Sequence, residues 1–216
     1  NTMTSDNAVS IADGAKLEIG TGTFNSDGSF TGNTSGEIDF TAAGKLILSN
    51  TVTSLGTLDD AAGTVEYDNN SNHNVLADTY YNLEMDGSGR KTAGGNITVN
   101  NNFVITSSPS KYRTGEYTTT VTGSTDIDTE LKFNNSSGVF DANGAFDATN
   151  GAVNFNSPGQ LNIAGAVTSL GTFTEGTGKV VLDGSSTQTI PADETFYNLQ
   201  VSNSAGVGLG SNVDAV

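Results

Sequence analysis

Three carboxylates, Asp126, Asp128 and Glu130, have the spacing in this chain that best suits metal chemistry. They alternate within residues 125–131, which resemble a strand, and alternate residues of a strand project from one side. Ca²⁺ is a hard cation that takes carboxylate and carbonyl oxygens as ligands. These three residues are the candidate calcium site of the chain, and no other cofactor is expected; a solvated strand face that discourages lateral pairing is the favoured interpretation.

A second group of residues suits recognition of a glycan or a protein. Tyr112, Arg113, Glu116 and Tyr117 fall within a short segment. Aromatic rings offer stacking faces, and a guanidinium offers forked hydrogen-bond donors. These four residues are the candidate ligand contact of the chain, although an ordinary connecting segment is the favoured interpretation.

The residues needed for catalysis are sparse. His73 is the sole histidine, the chain has no cysteine, and Asn72 and Asn74 beside His73 indicate a polar turn. No Ser-His-Asp arrangement is supported, and adjacent acids such as Asp59 and Asp60 point to opposite sides of a strand, whereas glycosidases need two carboxylates around one bond. We expect a protein that is not an enzyme.

The elements that must position these side chains are short strands. Apolar residues occupy alternate positions, as at Leu46 and Leu48 or Ile97 and Val99, and turn residues such as Asp86-Gly87-Ser88-Gly89 separate the pairs. A period of two is the signature of a half-buried strand, and no window shows an apolar stripe at helical spacing. The sequence predicts an all-β protein.

The chain also repeats itself at a spacing of about 115 residues. Residues 52–57, Val-Thr-Ser-Leu-Gly-Thr, return unchanged as residues 167–172, and Tyr80-Tyr81-Asn82-Leu83 is matched by Phe196-Tyr197-Asn198-Leu199. What recurs is apolar and glycine chemistry, which favours a duplicated scaffold over a duplicated active site. We divide the chain into a first repeat (1–105), a non-repeated linker or rung (106–128) and a second repeat (129–216).

Two architectures suit such strands. A parallel β-solenoid, most often a right-handed β-helix, places like residues above like, so that ladders of Val, Ile, Leu, Thr and Asn suffice to hold it together. Two tandem β-sandwich domains are the alternative, but sandwich strands are usually longer and bulkier, and this chain has no Trp. We expect the solenoid.

Charge and composition limit the partners and the location. The formal net charge is −16, which repels phosphate backbones, so nucleic acid and anionic membranes are poor partners. No run of about eighteen apolar residues exists to insert into a membrane. A cysteine-free, acidic, lysine-poor chain is typical of proteins outside bacterial cells, and we expect an extracellular or cell-surface location.

A family resemblance supports this view. The segment 63–105, with Gly63-Thr64-Val65 and Tyr81-Asn82-Leu83, and its second copy from Gly178 onward resemble the β-strand repeats of very large bacterial secreted and surface proteins, including autotransporter-like and filamentous-haemagglutinin-like adhesins. Counting both copies, the resemblance covers about four fifths of the chain. It implies a β-solenoid stalk with an adhesion, matrix or filament role.

Together these observations predict a structural segment or subunit of an extracellular bacterial fibre or adhesin. Its partners would be further copies or turns of the same chain, and a glycan or host surface. Self-assembly would use the apolar residues of the terminal strands: Val9, Ile11, Leu17, Ile19, Val207, Leu209, Val213 and Val216. The alternatives are a carbohydrate-binding or carbohydrate-degrading β-helix and a passive spacer.

Overall fold

The computed structural model describes residues 1–106, 110–191, 194–210 and 214–215. Within these residues the protein is all-β, and its strands pair in parallel to form a β-solenoid of about ten turns. The prediction of a parallel solenoid is confirmed. The alternative of two sandwiches is wrong, because each turn of chain stacks directly on the one before it. No described helix is long and apolar enough to cross a bilayer.

Thirty strands make up the described turns. The first three turns contain β1 (Thr2–Ser5), β2 (Val9–Ile11), β3 (Lys16–Ile19), β4 (Thr23–Ser26), β5 (Phe30–Phe40), β6 (Lys45–Leu48) and β7 (Val52–Leu58). The next four turns contain β8 (Thr64–Asp68), β9 (His73–Val75), β10 (Thr79–Tyr80), β11 (Asn82–Asp86), β12 (Arg90–Ala93), β13 (Ile97–Val99), β14 (Phe103–Ile105), β15 (Lys111–Arg113), β16 (Thr118–Val121), β17 (Thr125–Ile127), β18 (Glu130–Phe133) and β19 (Val139–Ala142). The remaining strands are β20 (Phe146–Asp147), β21 (Ala152–Phe155), β22 (Gln160–Ile163), β23 (Val167–Ser169), β24 (Thr172–Thr174), β25 (Lys179–Leu182), β26 (Gln188–Ile190), β27 (Thr195–Phe196), β28 (Asn198–Val201), β29 (Val207–Leu209) and β30 (Asp214–Ala215).

Each turn contributes a strand to each of three faces, which we call the first, second and third face in chain order. The first face is a sheet of nine strands that begins with β1 and β4 and ends with β20 and β23. The second face is centred on the sheet from β9 to β24, and the third on the sheet from β10 to β28. The long strands β5 and β7 each run through both the second and the third face. The described part of the segment 106–128 forms β15, β16 and β17, which are ordinary parts of a turn.

Alternation within each strand produces the core. In β8 and β11 the side chains of Val65, Tyr67, Leu83 and Met85 are 0–2% exposed, while their sequence neighbours point outward. The ladder sets Val65 beside Leu83 and Tyr67 beside Met85, so apolar residues stack on apolar residues from turn to turn. Each fully buried side chain of this size stabilises the fold by about 1.5–3 kcal/mol. The stacked columns therefore hold successive turns together.

Three tyrosines lie inside this core, and the hydroxyl of each has a hydrogen-bond partner. Tyr67 Oη and Tyr80 Oη are 3.1 Å apart, Tyr80 donates to the Leu76 carbonyl at 2.8 Å, and Leu76 N–H donates to Tyr67 Oη at 3.2 Å. Tyr112 Oη lies 2.6 Å from Thr119 Oγ1. Burial raises the pKa of Tyr67 to about 12, and it also raises the pKa of Tyr80 and Tyr112.

The sequence repeat does not coincide with whole turns. The first-face strand β6 corresponds in sequence to the third-face strand β22, and the first-face strand β8 corresponds to the third-face strand β25. The copies are thus offset by five turns and two strands. Each strand of the first copy reappears one face back in the second copy.

Despite this rotation, local packing is preserved between the copies. Gly63 and Gly178 each lie so close to a ring, that of Phe40 and of Phe155 respectively, that a Cβ at either position would fall on the ring. The repeated hexapeptides also share a turn. In it the hydroxyl of Ser54 or Ser169 accepts the N–H of the glycine two residues later, at 3.0 Å in both copies. Those glycines, at positions 56 and 171, have φ values of 70° and 66°, where a side chain would be strained.

The hydrogen-bonded ladder is interrupted at two levels of the described chain, and both interruptions follow the repeated hexapeptide. After β7, the second and third faces lack pairing to β9 and β10, while the first face continues from β6 to β8. After β23 and β24, the first and second faces lack pairing to β26 and β27, while the third face continues from β25 to β28. We call these the first and second ladder breaks.

The buried tyrosines predict how the fold responds to alkali. In the unfolded chain tyrosine ionises near pH 10, whereas in the folded chain these three pKa values are raised. Above about pH 10 the unfolded state therefore binds fewer protons, and stability falls by about 4 kcal/mol per pH unit for three such groups. Urea unfolding followed by circular dichroism at several alkaline pH values measures this slope.

A pair of variants isolates the contribution of one tyrosine. Tyr112→Phe should reduce the slope by about 1.4 kcal/mol per pH unit, because one proton no longer differs between the two states. Tyr197→Phe is the matched control, since Tyr197 is 54% exposed, and it should leave the slope unchanged. Equal slopes for both variants would contradict the prediction.

Candidate functional site

The predicted calcium ligands are divided between two faces. Asp126 projects outward from β17 on the first face, and that strand ends at Ile127. Asp128 lies in the following turn, where it accepts a hydrogen bond from Asn150 Nδ2 at 3.0 Å, and Glu130 begins β18 on the second face. The expectation that one strand carries all three carboxylates is wrong, because the chain turns a corner between them. Calcium binding by these residues stays a prediction, without that geometric support.

The predicted ligand-contact residues do not form one exposed surface. Tyr112 is fully buried and packs edge-on against Phe103, with ring centroids 5.0 Å apart, so it offers no stacking face. Tyr117 packs partly buried against the core, while Glu116 is exposed in the turn after β15. Only Arg113 projects outward from the sheet, on the second face.

The predicted assembly residues occupy the outermost described turns. Ile11 and Ile19 are 6% and 4% exposed in β2 and β3, and Val9 and Leu17 are half-buried beside them. At the other end Val207 is half-buried and Leu209 is 66% exposed in β29. Val213 and Val216 lie outside the described residues.

An apolar hollow accompanies the first turn. It has a volume of about 290 Å³, and Met3, Leu17, Ile19 and Phe24 are among the residues that line it. Met3 is 65% exposed. Apolar surface is therefore available beside the first strands, where β1, β2 and β3 each pair on one side within the described chain.

An acidic cluster that the sequence analysis missed lies on the first face. Glu66 and Asp68 of β8 are in register with Glu84 and Asp86 of β11, and all four point outward. Oxygens of Glu66, Asp68 and Asp86 lie within 4.8 Å of one another, close enough to surround one cation. The signal was present as Val-Glu-Tyr-Asp at 65–68 and Leu-Glu-Met-Asp at 83–86, one turn apart.

The protein supplies its own cations to this cluster. Lys45 Nζ lies 2.7 Å from Glu66 Oε2 and 2.8 Å from Glu84 Oε2. Burial raises the pKa of Glu66, and the Lys45 ammonium opposes that rise. Burial and the neighbouring Asp86 raise the pKa of Asp68.

Lys91 provides the second cation from inside the solenoid. Its side chain is fully buried, and its ammonium donates to the carbonyls of Asn69 at 2.7 Å, Gly89 at 3.1 Å and Asp86. Burial lowers the pKa of Lys91 to about 8, against the attraction of Asp68 and Asp86. A buried ammonium thus ties together the corner turns of two successive rungs, which is a structural role.

The first ladder break opens a polar cleft beside this corner. The cleft has a volume of about 350 Å³, and Thr51, Asn72, Asn74 and Arg90 are among its lining residues. His73 reaches across it, where its Nε2 accepts the N–H of Val52 at 3.4 Å. Burial, aided by the charge of Lys91, lowers the pKa of His73.

The second copy also joins neighbouring turns through a polar side chain. Gln188, the counterpart of His73, donates through Nε2 to the carbonyls of Ile163 and Gly165, each at 2.8 Å. Its Oε1 accepts from Gly184 N–H at 3.2 Å. His73 bonds to a strand at the first break itself, whereas Gln188 bonds across the turns at the corner that precedes β23. His73 therefore has a structural counterpart rather than a catalytic one.

Comparison with known proteins gives no further lead. No family model, no curated protein and no solved structure matches this chain. Its function is therefore inferred from the geometry of the described residues.

The ladder breaks predict where the fold opens first. About half of the backbone N–H groups of a strand face each neighbour, so those of β7, β23 and β24 that face a break lack ladder partners. Native-state hydrogen exchange should show faster exchange at 52–58 and at 167–174 than in β14 and β18, which are paired on both sides. Uniform protection across these strands would contradict the description of the breaks.

The buried ammonium predicts a large effect of one substitution. Lys91→Met leaves carbonyl acceptors unsatisfied and removes a cation from beside Asp68 and Asp86, so unfolding free energy at pH 7 should fall by about 2 kcal/mol. Lys179→Met is the control on the third face, where the effect should stay within about 0.5 kcal/mol. Chemical denaturation measures both.

The pH dependence of this difference gives a second check. With a folded pKa of about 8 for Lys91, the unfolded state binds the proton more tightly between about pH 8 and pH 10. The wild-type protein therefore gains stability over that interval relative to Lys91→Met, because both share the tyrosines. A gap that stays constant or narrows would show that the ammonium is not destabilised by burial.

Proposed function

We propose that this chain is a non-catalytic, rod-forming segment of an extracellular bacterial fibre or adhesin. The observation that carries the proposal is the first face, whose nine strands pair without interruption from β1 to β23. Strands spaced about 4.8 Å apart give ten turns a length of roughly 50 Å. Such a continuous ladder along the axis suits a stalk that holds two things apart.

The side chains support a mechanical role. Large polar groups that are buried, such as Lys91 and Gln188, bond to backbone carbonyls at corners and breaks of the solenoid. Neither the apolar hollow nor the cleft at the first ladder break is lined by a pair of carboxylates, and His73 Nε2 in that cleft already accepts the Val52 N–H. What the buried polar groups do is hold neighbouring turns together.

We also propose that a further turn stacks on the strand edges of β1, β2 and β3. That turn would come from the same polypeptide or from another copy. Unpaired parallel edges bind another strand readily, and apolar surface from Met3 beside them adds to the contact. Leu209, which is exposed in β29 at the other end of the described chain, would play the same part there.

A carbohydrate-binding role is the second candidate. The cleft at the first ladder break favours it, because Asn72, Asn74 and Arg90 present amides and a guanidinium to a space of about 350 Å³. Sugar sites usually add an aromatic stacking face. Among the described residues that line this cleft there is none beyond the His73 ring.

Electron microscopy of the purified chain tests the proposal. We expect end-to-end rods, and we expect Met3→Lys combined with Leu209→Lys to shorten them, because charge replaces the exposed apolar contacts. Thr98→Lys, in the middle of the third face on β13, is the control and should leave rod length unchanged.

Three results would count against it. Rods of equal length in the double variant would contradict the proposed end contacts. Depolymerisation of acidic or neutral glycans by the purified protein would contradict the non-catalytic role. A protein that stays monomeric while binding a neutral glycan through Asn72 and Asn74 would favour the second candidate.

A further inference from the structure

Half of the cationic residues of this acidic chain lie together on the second face. Of eight Lys and Arg residues, Arg90 lies on β12, Lys111 and Arg113 on β15, and Lys132 on β18. The ladder places Arg90 beside Lys111 and Arg113 beside Lys132. All four alternate with buried residues and so project outward. We call these four residues the cationic patch.

The charges of this patch are poorly compensated within the chain. Among the described residues, Glu130 is the one acid that forms ion pairs with it, at 3.5 Å from Lys111 Nζ and 3.8 Å from Lys132 Nζ. Neither guanidinium makes an ion pair or a side-chain hydrogen bond to a described residue, and Arg113 Nε is buried without a partner. Burial and the charge of Arg90 lower the pKa of Arg113. The two arginines of the chain are therefore adjacent and unpaired, although it has 24 acids.

The first face carries the opposite charge at two of the three levels that hold the patch, those of β11 and β17, whereas β14 presents Val104 outward at the third. Its outward acids lie on β8, β11, β17 and β20, and we call them the acidic face: Glu66, Asp68, Glu84, Asp86, Asp126 and Asp147. Lys45 is the cation that bonds to this set from outside the solenoid. Burial and then the nearby carboxylates Asp128 and Asp147 raise the pKa of Asp126. The acidic face therefore has more carboxylates than neighbouring cations, just as the cationic patch has more cations than neighbouring carboxylates.

We infer that the cationic patch of one rod binds the acidic face of a second copy, side by side. Both surfaces belong to the same solenoid, so their turns share the same rise of about 4.8 Å. Two parallel rods can therefore place carboxylates opposite cations on two of the three turns that hold the patch, because β14 presents the uncharged Val104 outward. The inference goes beyond the proposed function, because a stalk can be rigid without lateral pairing.

The net charge of −16 does not prevent this contact. At physiological ionic strength the Debye length is about 8 Å, so charges on remote parts of two rods are screened while those at the contact are not. The contact uses the cationic patch of one rod and the acidic face of the other. The first rod therefore keeps its acidic face free, and the second keeps its cationic patch free. The resulting assembly grows as an open sheet or bundle rather than closing as a dimer.

A second copy fits the patch better than an acidic polysaccharide. Sugars are commonly held by stacking on an exposed ring, and the ring nearest the patch, Tyr112, is fully buried. A row of carboxylates needs only forked donors, which arginine provides. The charge pattern of the chain itself supplies that row.

Sedimentation velocity over a range of protein concentrations tests the inference. We expect wild-type rods to associate, and Arg90→Glu with Arg113→Glu to raise the dissociation constant at least about tenfold. Lys179→Glu on the third face is the control for the single variant Arg113→Glu, since the two substitutions change net charge equally, and it should alter association less than about twofold. Circular dichroism verifies that these variants fold.

Charge exchange between partners supplies a second readout. Arg113→Glu and Asp126→Lys should each associate weakly alone, whereas an equal mixture should associate more strongly than either, because the swapped charges attract. High salt should weaken wild-type association. A mixture no stronger than its components would overturn the inference.

The remaining outcomes also decide between explanations. Equal association of Arg113→Glu and its control would overturn lateral pairing. A wild-type protein that stacks only end to end would do the same and leave the proposed function standing. Monomeric wild-type protein that is retained on immobilised heparin, with the patch variant not retained, would show an acidic-glycan site and reject the second copy.

Discussion

The parallel backbone ladder is the constraint on which the rest of this structure depends. It fixes the rise per turn, so each side chain lies directly over one residue of the turn below. Tyr67 stacks on Leu48 and under Met85, while Glu66 is held beside Glu84 and Asp68 beside Asp86. The same geometry that joins apolar residues also forces like charges together. The apolar columns stabilise the rod, and the charged columns need cations such as Lys45.

The rotated duplication explains why the two copies share a scaffold but not a surface. Glu66 and Asp68 of β8, on the first face, correspond in the second copy to Val181 and Asp183, which lie in and just after β25 on the third face. Because equivalent strands occupy different faces, an outward residue meets different vertical neighbours in each copy. Inward residues face the same narrow core wherever they stand, so Phe40 and Phe155 keep the same glycine contact. Selection for packing can therefore preserve the core pattern while the outer residues diverge.

Sequence reasoning reached the fold because the relevant signals are local. The alternation at Leu46 and Leu48 sets the inward positions, and glycine-rich turns set strand length. The candidate site residues were harder to predict from the sequence, because whether a side chain points outward or inward depends on where each corner of the solenoid falls. A corner after Ile127 separates Asp126 from Glu130, and Tyr112 sits at the inward position of a three-residue strand. The burial of Lys91 was also hidden, because its acceptors are backbone carbonyls.

The two ladder breaks affect the rod in different directions. At the first break the continuous sheet is the first face, through β6 and β8, whereas at the second it is the third face, through β25 and β28. A break opens most easily away from its continuous face, so the two breaks open in directions set by different faces. His73 and Gln188 restrain that opening with side-chain hydrogen bonds. The duplication is offset by a fraction of a turn. The two ladder breaks, which follow the two copies of the hexapeptide, therefore do not lie along the same side of the rod.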